Sequence, residues 1–142
     1  MSRKSGQLDL FSSPGRHYEP RQLLAPDVIR VAVSAYLEAA DFTDDPGYQW
    51  SRRTEQNAAR DVRAFFRDNA EDILQHGEEY LGSTSTVKEI AYSAANDFWL
   101  SRNGHGAGFF DRGTSRSDKL QKAAKRWGSC TVADGKQVSH IE

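Results

Sequence analysis

Apolar side chains recur every three or four positions in four stretches of the chain, which is the spacing of one helix face. The first stretch opens at Pro26–Asp27, where proline and aspartate suit a helix start, and should end near Asp41. The second is predicted to run from Thr54 to about His76, with Gly77 as its C-terminal cap.

The third and fourth stretches carry clearer boundary signals. Thr86–Glu89 has the spelling of a capping box, so a helix should follow it and end at Asn103–Gly104. After a glycine-rich connection, a fourth helix should start at Ser115 or Ser117 and end before Gly128. Each of the four patterns therefore predicts a helix with one buried face.

The C-terminal residues change period. Ser129–Val132 and Gln137–Ile141 flank Asp134–Gly135, a favoured two-residue hairpin turn. This turn would pair Cys130 with Ser139. The predicted fold is mainly α, classed as α+β: about four helices around one core, a C-terminal β-hairpin and a flexible N-terminal arm.

Composition fits one small domain. The chain has 142 residues, of which 37% are hydrophobic and 27% charged, with a net charge of −1. Residues 1–25 are polar and punctuated by prolines, so we expect a flexible tail and linker there and a single globular domain over 26–142. A single cysteine, no signal peptide and no membrane-length apolar run favour a cytoplasmic protein without membrane contact.

The tail contains a short apolar motif, Gln7–Leu8–Asp9–Leu10–Phe11. It resembles the peptide by which bacterial replication and repair proteins dock on the DNA polymerase sliding clamp, and all five positions match. The resemblance implies that the host clamp is a partner. The alternatives are that the motif folds back on its own domain or matches by chance.

A second dense segment, Asp97–Gly113, interleaves glycines with charged and aromatic residues. It resembles a block close to DFWL[ST]RNGHGAGFWDRG in a family of small proteins of unknown function from bacteriophages and other mobile elements. The sequence departs from that block at Phe110, where relatives usually have tryptophan. The resemblance implies a mobile-element origin and no defined activity.

This glycine-aromatic block, Asp97–Gly113, is a candidate for recognition or catalysis. Its candidate residues are Asp97, Trp99, Arg102, His105, Phe109, Phe110, Asp111 and Arg112. His105 could act as a base, oriented by an aspartate, with an arginine stabilising an anion. The spacing matches no recognised catalytic motif, so a structural or binding loop is the favoured interpretation, and enzyme activity is left uncertain.

Other chemistry is weaker. No histidine or cysteine has metal-ligand spacing, so neither a metal nor a cofactor is expected. Cations cluster in and before the fourth helix and could contact phosphates: Arg116, Lys119, Lys122, Lys125 and Arg126. A solvated helix face is the plainer explanation for them.

These observations favour a non-enzymatic accessory or modulator protein from a mobile element, docking on the host clamp through residues 7–11. Two alternatives stay open. One is an inhibitor of a host defence system that acts by protein–protein contact, and the other is a small enzyme using His105.

Overall fold

The described residues form a bundle of helices followed by a short antiparallel ribbon. The structure is a computed structural model, and it describes residues 18–43, 51–133 and 136–139. Its elements are α1 (Pro20–Leu23), α2 (Pro26–Thr43), α3 (Arg52–Leu81), α4 (Val87–Asn103), a 3-10 turn (Phe109–Asp111), α5 (Ser117–Lys125), β1 (Cys130–Ala133) and β2 (Lys136–Ser139).

The structure corrects the predicted fold class. The protein is mainly helical, so the assignment to the α+β class is wrong. Five α-helices lie in the described residues instead of about four, because α1 spans only four residues and is too short to show periodicity. The four-residue strands pair only with each other, with Cys130 opposite Ser139. They add no sheet layer to the core, and residues 134–135 between them lie outside the described residues.

The predicted flexible linker through residue 25 is also wrong from Tyr18 onward. Pro20 occupies the start of α1, and the Gln22 side chain accepts a hydrogen bond from the Glu19 N–H at 2.7 Å. Leu23 is fully buried, and the Tyr18 hydroxyl donates to the Ser85 carbonyl oxygen at 2.9 Å. Two anchors thus hold this segment on the domain, whereas residues 1–17 lie outside the described part of the chain.

Local capping chemistry correctly placed α4. The Thr86 side chain accepts from the Glu89 N–H at 3.0 Å, and the Glu89 carboxylate accepts from the Thr86 N–H at 2.8 Å. Gly104 ends the helix with φ +68°. Both halves of this prediction are confirmed.

The predicted end of α3 is wrong. The helix continues past Gly77 to Leu81, and Gly82 caps it by donating its N–H to the Glu78 carbonyl oxygen. A Cβ at Gly77 would lie 2.6 Å from the Cγ2 atom of Ile90. Gly77 therefore allows close packing of α3 against α4 and does not serve as a helix terminus.

Aromatic rings form the centre of the core. Phe65 of α3 stacks on Phe98 of α4 with centroids 4.1 Å apart, and Tyr36 of α2 meets Trp99 edge-on at 5.2 Å. These four rings, together with Phe109, are fully buried. Truncating such a ring to alanine typically costs about 3–5 kcal/mol of stability. The contacts among these rings therefore hold α2, α3 and α4 together.

Candidate functional site

The aromatic residues of the glycine-aromatic block divide between core and surface. Trp99 and Phe109 are both 0% exposed, whereas Phe110 is 45% exposed. A buried ring packs against its own chain and offers nothing to a partner. Of the three predicted aromatic contacts, Phe110 alone presents a large apolar surface to solvent.

Asp97 and Arg112 satisfy each other. The Arg112 Nη2 and Nε atoms donate to the two carboxylate oxygens of Asp97 at 2.7 and 2.9 Å, and Asp97 is 1% exposed. The guanidinium also lies 5.1 Å from the centroid of the Tyr80 ring. Hydrogen bonding to Asp97 raises the pKa of Arg112. This bidentate pair fixes the glycine-rich loop to α4.

Arg102 is committed to the interior in the same way. Its side chain is 2% exposed, and its Nη1 atom donates to Asp61 Oδ2 and to the Tyr36 hydroxyl, both at 3.0 Å. Its Nε atom donates to the Gly128 carbonyl oxygen at 2.8 Å. Arg102 therefore joins α2, α3 and the segment after α5, and its donors face protein acceptors.

Sequence reasoning missed Asp61, although a signal existed. Asp61 stands between Ala58 and Phe65 at helical spacing, and all three are buried. A charge on the inward face of a helix needs a partner, because an unpaired buried charge is costly. The pattern could thus have pointed to a buried cation, but it could not have selected Arg102.

Cys130 lies beside the hydrogen-bonding partners of Arg102, with its Sγ atom 3.8 Å from the Tyr36 hydroxyl. Burial raises the pKa of the Cys130 thiol and holds the pKa of Tyr36 well above its usual range. Both groups are therefore neutral near pH 7, and a neutral buried thiol is a poor nucleophile and a poor metal ligand. Among the described residues, no group of three or more His, Cys, Asp or Glu side chains could hold a metal ion.

His105 and Asp111 lie on the surface of the loop. Both are exposed, and the His105 N–H donates to the Leu100 carbonyl oxygen at 3.2 Å, just beyond the end of α4. The carboxylate of Asp97 and the guanidinium of Arg102, proposed to assist His105, instead bond Arg112 and Asp61. The charged residues of the predicted block thus form two separate ion pairs, Asp97–Arg112 and Arg102–Asp61. His105 and Asp111 lie apart from them on the surface of the loop.

A buried histidine elsewhere escaped the sequence analysis. His76 is 1% exposed, and its Nδ1 atom lies 2.6 Å from Thr114 Oγ1, while its Nε2 atom has no hydrogen-bond partner among the described residues. Burial lowers the pKa of His76. No sequence signal pointed to its burial, because the histidine was expected at the end of a shorter helix.

The predicted phosphate-contacting residues fall into two groups. Arg116 Nε and Lys119 Nζ lie 2.9 and 3.0 Å from the two carboxylate oxygens of Asp72 on α3. Lys122, Lys125 and Arg126 are exposed further along and just after α5. The first pair already shares an acid, whereas the second group forms no ion pair within the described residues and is therefore better placed to bind an outside phosphate.

The motif at residues 7–11 lies outside the described residues, so the structure does not bear on it. No helix in the described ranges is long and apolar enough to cross a membrane. No protein-family model matches the chain, and no curated protein and no solved structure is significantly similar to it.

Proposed function

We propose that this protein is a non-enzymatic accessory or modulator protein of a mobile element that docks on the host DNA polymerase sliding clamp. The observation that carries the proposal is the spelling of residues 7–11: glutamine, an aliphatic residue, an acid, leucine and phenylalanine. All five positions match the clamp-binding pattern that the peptide resembles.

The energetics of such a peptide suit reversible docking. Burying Leu8, Leu10 and Phe11 in a preformed apolar cleft is worth roughly 1.5–3 kcal/mol for each side chain. Ordering the segment costs about 2–5 kcal/mol, and association costs translational freedom as well. The remainder corresponds to a dissociation constant on the order of micromolar. Gln7 would fix the register by hydrogen bonds, and Asp9 would stay solvated.

The domain provides a firm base for a docking peptide. Its first described residue, Tyr18, is tied to Ser85 by a hydrogen bond of 2.9 Å. Residues 12–17 separate the motif from this anchor and could span about 20 Å when extended. The folded domain could therefore remain intact beside a clamp while the motif occupies the cleft, either to recruit the domain or to exclude host polymerases.

A second candidate function rests on the loop surface. Phe110 and Tyr80 are 45% and 42% exposed, and the guanidinium of Arg112 lies against the Tyr80 ring. Exposed aromatic and arginine side chains are enriched at protein–protein contacts. This surface favours the alternative of a defence-system inhibitor that acts by contact over the alternative of an enzyme using His105.

Titration calorimetry against purified bacterial clamp tests the docking proposal. The double variant Leu10→Ala/Phe11→Ala should abolish the binding heat, because it removes two apolar anchors, and should leave the melting temperature unchanged. The matched control Ser12→Ala/Ser13→Ala changes the adjacent residues and should bind like the wild type.

Two outcomes would contradict docking. Undiminished heat with the double variant would show that the motif does not make the contact. A large drop in its melting temperature would show that the motif packs on its own domain. Normal clamp binding by Phe110→Ala, with loss of a biological effect on the host, would instead support the loop surface as a separate contact.

A further inference from the structure

The seam between α3 and α5 is a ladder of polar contacts. At one end, the Glu79 carboxylate accepts from the Ser115 N–H at 2.8 Å, and this bond holds the pKa of Glu79 at about 2. Further along, Asp72 binds both Arg116 and Lys119. Two acids of α3, Asp72 and Glu79, are thus matched by donors at or near the start of α5.

The ladder stops one helical turn beyond Asp72. There a cleft of about 430 Å³ opens between the two helices, lined by Asp68, Asn69, Ala123, Arg126 and Trp127. Arg126 is exposed and forms no ion pair within the described part of the chain. Arg126 and Asp68 therefore line one cleft without bonding each other, while Asp68 forms a solvent-exposed ion pair with Arg67 at 3.2 Å. The cleft volume falls within the range of about 300–1,000 Å³ typical of small-molecule sites.

A break in α3 shapes the cleft. Asn69 has non-helical backbone angles, φ −127° and ψ 21°, and its Nδ2 atom donates to the Phe65 carbonyl oxygen at 2.9 Å. A side chain inserted into the helix's own hydrogen-bond ladder is a known cause of kinks. Since Nδ2 is used in this bond, the Oδ1 atom of Asn69 is left as an acceptor at the cleft.

The opposite wall carries a fixed aromatic ring. Trp127 is half-buried, with its ring edge-on to Phe98 at 5.7 Å and the Arg102 guanidinium 5.5 Å from its centroid. An indole held in this way loses little freedom when a second planar group packs on it. Aromatic side chains beside cations are the usual elements of sites for unpaired bases.

We propose that this cleft binds a nucleotide, with its base against Trp127 and its phosphate on Arg126. Lys122, one turn before Arg126 on the same helix face, is placed to reach the same or the next phosphate. The Asp68 carboxylate, whose Oδ1 atom already accepts from the exposed Arg67, and the Oδ1 atom of Asn69 both accept hydrogen bonds. They therefore favour adenine, whose exocyclic amine offers two donors, over thymine, whose one N–H lies between two carbonyl oxygens. The site is independent of the motif at residues 7–11 and goes beyond clamp docking.

Fluorescence anisotropy with the full chain at low salt tests the site, using labelled oligodeoxyadenylate and oligothymidylate of twelve nucleotides as probes. The adenylate, whose base has the amine, should bind more tightly than the thymidylate. Arg126→Gln should weaken adenylate binding about tenfold and lower the slope of log affinity against log salt by about 0.7. The control Arg63→Gln removes an exposed arginine from the face of α3 toward α2 and should change affinity less than twofold.

Competition with adenosine monophosphate distinguishes the source of the ligand. If adenosine monophosphate displaces the labelled probe and occupies the protein stoichiometrically, a free nucleotide is supported as the ligand. If only the oligomer binds, a single strand is supported. The proposal is overturned if neither ligand binds at low salt. It is also overturned if Arg126→Gln and Arg63→Gln have equal effects, or if the thymidylate binds as tightly as the adenylate.

Discussion

The buried guanidinium of Arg102 offers the sharpest test of the fold. Arg102→Met keeps most of the apolar stem of the side chain and removes the charged head. The change takes away the donors to Asp61 and Tyr36 at 3.0 Å and to Gly128 at 2.8 Å. Water cannot replace them readily, because Asp61 has a side chain that is only 3% exposed.

The magnitude follows from the charge left behind. Removing one partner of a buried ion pair costs about 3–5 kcal/mol, since the other charge loses its buried counter-charge in a medium of low polarity. Native domains are stable by about 5–15 kcal/mol in total. The variant is therefore expected to lose at least about a fifth of the free energy of unfolding.

The chain supplies its own control for this experiment. Arg60 Nε lies 3.0 Å from the other carboxylate oxygen of Asp61, but its side chain is 67% exposed. Solvent screens such a contact, and exposed ion pairs contribute at most about 1 kcal/mol. Urea denaturation of Arg102→Met and Arg60→Met thus compares two arginines on one carboxylate.

A loss below about 1 kcal/mol for Arg102→Met, or equal losses for the two variants, would refute this reasoning. Either result would mean that Asp61 is solvated or takes up a proton at little cost when its partner is gone. Repeating the measurement with Asp61→Asn in the Arg102→Met background decides this, because stability should partly recover only if the buried carboxylate charge of Asp61 caused the loss.

Two further predictions concern the loop and the buried histidine. Gly106→Ala should cost about 1 kcal/mol, because Gly106 has a φ of +77° but open space around it. Gly108→Ala should cost roughly 3 kcal/mol, because Gly108 has a φ of +139° and a Cβ there would collide with the Ser101 hydroxyl. Equal costs in chemical denaturation would contradict the loop geometry. Because burial lowers the pKa of His76 from 6.5, the unfolded chain binds a proton that the folded chain does not, so the free energy of unfolding should fall as the pH drops below 6.5. His76→Phe should flatten this slope in denaturation measured between about pH 5 and 7.5, and an unchanged slope would exclude His76 as its source.

Local signals predicted the elements whose ends are made locally. The capping box at Thr86–Glu89 and the glycine at Gly104 define α4 from within the chain, and the structure places both as expected. Gly77 shows the limit of such reasoning. Glycine is the residue type expected at a helix cap, but the close approach of Ile90 from the next helix determines the role of Gly77. That contact between two helices cannot be inferred from the order of residues along the chain.

Contacts between polar side chains far apart in the chain could not be predicted. His76 and Thr114 are 38 positions apart in the chain, and Arg102 and Asp61 are 41 apart. A helix pattern indicates which face is buried, but it does not indicate which side chains of two helices meet there. The fold could therefore be predicted in its helices, whereas the partners within the candidate site could not.

The density of chemistry in the glycine-aromatic block has a structural explanation. The Ser101 hydroxyl accepts from the Phe109 N–H at 3.0 Å and donates to Gln121 Oε1 at 2.6 Å, and Gly108 has no side chain to block that approach. A loop that must fix its own backbone, bury a ring and stay attached to two helices needs hydroxyls, charges and glycines close together. Phe110, His105 and Asp111, which remain at the surface, are then the block's candidates for recognition, and substitutions there separate contact with a partner from stability of the fold.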